Sequence, residues 1–149
     1  MGKKNSESIV KNIATISKFS YEPTIKKYPF LEHFFINSNS PEEDWTLYLT
    51  TAGIGYICII EGEDSPLCNK ILEELGNTDG GEAIANATTK FISAMAGIIE
   101  TRGLDHFPVA IGIWILNSFS NEKPQLKELE SFPYTIVELF ENIISSYKE

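Results

Sequence analysis

Between residues 6 and 20 the apolar positions Ile9, Val10, Ile13 and Ile16 share one face at about 100° per residue, and Lys4, Lys11 and Lys18 recur on the other. That spacing predicts an amphipathic helix with a basic outer face. Pro23 and Pro29 punctuate the next stretch, and Phe30, Leu31, Phe34, Phe35 and Ile36 predict a short helix turning its aromatics inward. Ser40-Pro41-Glu42-Glu43 is the clearest start signal. Ser is the expected cap, Pro suits the first helical position, and Glu43 is the expected capping-box partner. The stripe after it, Trp45, Tyr48, Leu49, Ala52, Tyr56, Ile59 and Ile60, has helical spacing. Thr50, Thr51, Gly53 and Gly55 are poor helix formers, so two strands around Ala52–Gly55 are the alternative over 46–60.

Ser65-Pro66 predicts another helix, through Leu67, Ile71, Leu72 and Leu75, with Gly76 as its stop. Asn77–Gly81 is a turn cluster. Glu82–Ile99 is the strongest helical segment, with Ile84, Ala87, Phe91, Met95 and Ile98 on its apolar face; Gly103 closes it. Phe107–Phe119 is apolar all round, which predicts a central helix. Its alternation of Val109, Ile111, Ile113 and Ile115 also fits a strand over 109–116. Pro133–Tyr147 carries Ile136, Phe140, Ile143 and Tyr147 as an amphipathic stripe. The expected fold is all-α: a compact, single-domain bundle of about six helices over 1–149. The alternative is α+β with a hairpin at 46–60. No solenoid repeat, low-complexity tract or dividing linker is found.

Charge changes this picture. Twelve basic residues stand against 21 acidic ones, a net −9 over 149 residues. Such an excess repels phosphate backbones, so no nucleic-acid grip is expected. Residues 1–30 hold six lysines and two glutamates, a local +4, which leaves −13 for the remainder. The basic arm then docks on the body's own carboxylates or on an external acidic surface. Met1-Gly2-Lys3-Lys4-Asn5-Ser6 fits the N-myristoylation pattern, and its lysines would supply the second signal that an acyl chain needs. No secretory signal and no apolar run of spanning length is read, so a soluble cytoplasmic protein is expected.

Candidate chemistry is sparse. Cys58 and Cys68 show no metal-ligand or CxxC spacing and are expected as buried free thiols in a reducing compartment. Cys68 near a helix start is read as core before nucleophile. Asp105-His106 is read as helix-cap chemistry before an acid–base pair. His33 is expected packed among Phe30, Phe34 and Phe35. Gly53-Ile54-Gly55 lacks the third glycine of a dinucleotide fingerprint, and Asn77–Gly81 lacks the Gly-Lys-Ser/Thr ending of a phosphate loop. No metal site and no cofactor are expected.

The remaining signal is acidic. Glu61, Glu63 and Asp64 form a compact loop, and Asp79 and Glu82 come after the next helix. One sign of charge on low-dielectric walls steers a basic protein partner. The leading expectation is a non-enzymatic protein-binding module using Glu61, Glu63, Asp64, Asp79 and Glu82. It would block or scaffold its partner as inhibitors of the immunity or antitoxin type do, an analogy of size, charge and class. The first alternative is a peripheral membrane adaptor using Lys4, Lys11 and Lys18. The second is a small-molecule-binding protein or enzyme with a pocket among Trp45, Tyr48, Tyr56 and Trp114. Self-assembly through the small residues of 83–97 or the apolar segment 107–119 is compatible with all three.

Overall fold

The computed structural model describes residues 8–62 and 64–147. Its helices are Ile9–Phe19 (α1), Tyr21–Lys27 (α2), Leu31–Phe35 (α3), Pro41–Glu61 (α4), Pro66–Gly76 (α5), Gly81–Arg102 (α6), Phe107–Phe119 (α7) and Phe132–Tyr147 (α8). Turns of 3₁₀ helix cover Leu104–His106 and Leu126–Leu129, and no strand occurs among the described residues. The chain is an all-α bundle. Neither strand alternative forms, over 46–60 or over 109–116. Two short elements, α2 and the 3₁₀ turn at 126–129, lie in stretches for which the pattern predicted no helix.

The central element is α4, not α7. Every residue from 49 to 58 is buried, and α1, α5, α6, α7 and α8 all pack on α4. The residues that weaken its helix propensity make this possible. Thr50, Thr51, Ala52, Gly53 and Gly55 keep the helix thin, so neighbours approach on every side. A methyl at Gly53 would stand 3.1 Å from Cε1 of Phe140, and one at Gly55 would stand 2.7 Å from Cε2 of Phe91. The Thr50 hydroxyl donates to the carbonyl of Thr46 at 2.6 Å, so its burial leaves no orphan donor. By contrast, α7 buries Phe107, Ile111, Ile115 and Leu116 but leaves Val109, Ile113 and Trp114 half-buried.

Helix ends obey the sequence in part. Ser65 caps α5 as expected, accepting from the Cys68 amide at 3.1 Å with Pro66 at the first helical position. Ser40 makes no side-chain cap on α4, and the expected box with Glu43 does not form. Ser38 takes over the junction. Its hydroxyl donates to Asp44 at 2.6 Å and accepts from the Ser40 amide at 3.2 Å. Nor does Asp105 cap α7: the chain reaches α7 through the 3₁₀ turn, and the capping position is His106, whose side chain makes no capping bond. Gly103, at φ +93°, turns the chain between α6 and that 3₁₀ turn.

One continuous core joins these elements. Its aromatic end centres on fully buried Trp45, whose indole N–H donates to Ser20 at 3.0 Å. Tyr21, Phe35 and Phe132 surround it, with ring centroids 6.0 to 6.3 Å away.

Candidate functional site

The acidic residues separate into two groups at opposite ends of α5. Glu61 and Asp64 lie at its start, while Asp79 and Glu82 lie beyond its end, with about 16 Å of helix between. Glu63 falls outside the described residues. From 61 to 82 the sequence holds seven carboxylates against one lysine, Lys70, a balance of −6 out of −9. Asp64, Glu73, Asp79 and Glu82 are exposed, and their carboxylates make no ion pair or hydrogen bond among the described residues. Leu72, 46% exposed, stands beside Glu73.

Glu74 is the exception. Its carboxylate accepts from the Ser8 hydroxyl at 2.9 Å and from the backbone amides of Ile9 at 3.1 Å and Val10 at 2.9 Å. These amides are among the donors that a helix start leaves free, so a residue more than 60 positions away caps α1. The contact uses the Ser8 hydroxyl and backbone amides, not the arm's lysines, so it is a helix cap and not the charge pairing expected of a basic arm. Ile9, Val10 and Ile13 are buried, and Lys11 and Lys18 are exposed on the outer face. Lys4 and the acylation pattern at Gly2 lie outside the described residues.

The cysteines overturn the free-thiol expectation. Cys58 and Cys68 form a disulfide, with Cα atoms 5.2 Å apart, and no free cysteine remains. Their spacing of ten residues matches no motif, but α4 ends three residues past Cys58 and α5 begins two before Cys68. The tight return between these helices places the two side chains together. This bridge clamps the base of the 61–64 acidic loop. Cys68 is therefore neither a free core thiol nor a nucleophile.

His33 is also not packed as expected. Its ring is 62% exposed and its Nε2 lies 2.5 Å from the Glu122 carboxylate, a pairing that α3 and the loop after α7 bring together. Asp105 and His106 are both exposed and share no side-chain hydrogen bond. Among the described residues, no three His, Cys, Asp or Glu side chains stand where they could hold a metal ion. No described helix is long and apolar enough to cross a membrane.

The four aromatics considered as a pocket meet only in part. Tyr48 and Trp114 pack edge to face with centroids 6.3 Å apart, and Tyr48 also meets Phe119 at 4.9 Å, while Trp45 and Tyr56 are buried in the core; Trp114 faces a cavity. The Tyr56 hydroxyl donates to the Glu141 carboxylate. Burial, and then this acceptor, raise its pKa far above the usual tyrosine value.

That cavity is a groove of about 410 Å³ between α6 and α7. Met95 and Ile98 from α6 and Val109, Ile113 and Trp114 from α7 form its walls. Arg102 and His106 stand at the end near the connecting turn, and Asn117 stands at the other. Ala94, exposed on α6, forms its rim on that side. Sequence patterning missed the groove, although a signal was present. A helix apolar on every side calls for cover on every side, and α7 lacks it along Val109 and Ile113.

Set against protein-family models, curated proteins and solved structures, the chain shows no match to any.

Proposed function

We propose that the chain is a non-enzymatic, acidic protein-binding module whose α5 edge docks a basic protein partner. The observation that carries this reading is the run of exposed, unneutralised carboxylates, Asp64, Glu73, Asp79 and Glu82, along and beyond one short helix. Uncompensated charge of one sign attracts a cationic surface over about a Debye length and accelerates encounter. Leu72 supplies apolar area next to Glu73, and the disulfide holds the loop bearing Glu61 and Asp64 to the start of α5. Covering or scaffolding a basic partner needs no more than this. The membrane alternative draws no support from α1, whose apolar face is already packed in the core. The bridge also weighs against the cytoplasmic location expected from the sequence, since disulfides persist where the medium is oxidising.

The test couples capture from the native source to kinetics. A stoichiometric basic partner is expected at low salt, with an association rate that falls at least about tenfold on raising the salt. The triple reversal Asp64→Lys, Asp79→Lys, Glu82→Lys should slow association by a similar factor and leave the circular dichroism spectrum unchanged. An association rate indifferent to both salt and charge reversal removes the α5 edge from consideration.

A further inference from the structure

We infer that the groove between α6 and α7 binds a single-chain amphiphile with an anionic head, of the fatty-acid carboxylate type. It lies apart from the acidic α5 edge and does not depend on that edge binding a basic partner. Three observations converge on it. The walls are continuous apolar surface on a helix that is apolar on every side, so water contacts Val109, Ile113 and Trp114 at a standing free-energy cost. The volume, about 410 Å³, lies within the range of small-ligand sites. The polar groups stand only at the ends, and the cation Arg102 stands at one of them, with the His106 imidazole beside the same opening.

In a chain of net −9 this pole is unusual. Arg102 makes no ion pair among the described residues, and no carboxylate lines the groove. Glu100 and Asp105 are close in sequence and exposed, and they set the opposing charge that a bound anion must overcome. An acyl chain laid along the walls would cover Ile98, Val109 and Ile113. Its carboxylate would meet the guanidinium of Arg102, whose planar fork matches a carboxylate with two parallel hydrogen bonds. The groove runs from Ala94 to Arg102 on α6 and from Val109 to Asn117 on α7, roughly 12 Å at helical rise along each, which suits a slender chain with one polar end.

A second copy is a poorer occupant. Pairing groove on groove would bury the walls, but neither groove brings a carboxylate to the other's Arg102 and His106. Two chains of −9 also repel.

Dodecanoate below its micelle-forming concentration is the probe, titrated into the full oxidised chain by calorimetry and followed by tryptophan fluorescence. Binding of one molecule is expected, with an emission change that Trp114→Phe removes. Arg102→Glu, at an exposed site that leaves the core intact, should weaken binding at least about tenfold, and Arg102→Lys should restore part of it. An alkyl-ammonium of the same chain length should not bind. Equal affinity of wild type and Arg102→Glu, or equal binding of the cationic amphiphile, overturns the proposal. A monomer that binds no dodecanoate overturns it in favour of a protein occupant. Sedimentation showing a dimer dispersed by Ile113→Asn, with dodecanoate inert, overturns it in favour of a second copy.

Discussion

Gly55 and Gly97 sit in the middle of long helices, yet alanine at the two should act with opposite sign. In a helix, Gly→Ala removes backbone freedom from the unfolded chain and gains about 1 kcal/mol where space allows. At Gly97 a methyl would meet nothing within 4 Å. Gly97→Ala should therefore stabilise the protein by about 0.5–1 kcal/mol. At Gly55 the same methyl would lie 2.7 Å from Cε2 and 3.4 Å from Cγ of Phe91, a ring with no exposed surface. That ring has nowhere to go. Its other side meets Trp114 edge-on, with centroids 4.9 Å apart. Forcing a methyl into such a contact costs about 1–3 kcal/mol. After subtracting the propensity gain of about 1 kcal/mol, Gly55→Ala should destabilise by up to about 2 kcal/mol, the two variants differing by up to about 3 kcal/mol. Urea unfolding followed by far-ultraviolet circular dichroism reads this directly, with an unchanged slope expected. In temperature the loss corresponds to about 2–4 °C per kcal/mol for a chain of this size. Phe91→Leu should rescue Gly55→Ala, with a coupling of about 1 kcal/mol or more in the double-mutant cycle. If Gly55→Ala matches or exceeds the wild type, α4 and α6 do not approach as closely as this packing requires, and thinness is not what makes α4 central.

Other outcomes test the remaining structure. The Cys58–Cys68 bridge closes a ring of about eleven residues, so reduction should lower the unfolding free energy by about 2.8 kcal/mol on the chain-entropy relation; two titratable thiols in the unreduced, denatured chain would contradict the bridge. Glu74→Gln removes the charged cap of α1 and should cost about 1–2 kcal/mol in urea unfolding, whereas Glu73→Gln should cost nothing measurable. Burial raises the pKa of Tyr56, Tyr21 and Tyr48, with Glu141, Glu42 and Asp44 adding to it respectively. The folded chain thus holds these protons more tightly than the unfolded one. Their contribution is fully present below the usual tyrosine pKa of about 10 and is lost as pH rises above it. Tyrosinate absorbance in the folded protein should lag behind that of the denatured chain, and coincident titrations would refute the burial of Tyr56.

Much of the helical framework is legible along the chain. The Ser65-Pro66 start, the Gly103 stop and the stripes of Ile9–Ile16 and Ile136–Tyr147 specify helices through rules confined to one turn or one face, and α1, α5, α6 and α8 obey them. Ser40 makes no side-chain cap although Pro41 stands where Pro66 stands after Ser65; at this junction Ser38 bonds Asp44 and the Ser40 amide instead. Which helix lies at the centre was not legible in that way. Apolar count favours 107–119, but centrality requires thinness as well as apolarity, and Gly53 and Gly55 confer it on α4.

The candidate surfaces divide in the same manner. Composition and order determine that negative charge gathers between residues 61 and 82, because charge is carried by residue type. Only the tertiary structure decides that Glu74 is consumed by the start of α1 and that Cys58 and Cys68 meet. It also parts Glu61 and Asp64 from Asp79 and Glu82 along α5, and leaves the α6–α7 groove uncovered. Each of these depends on the distance between residues far apart in the chain. Local propensity and spacing carry no information about such distances until the core brings the helices together.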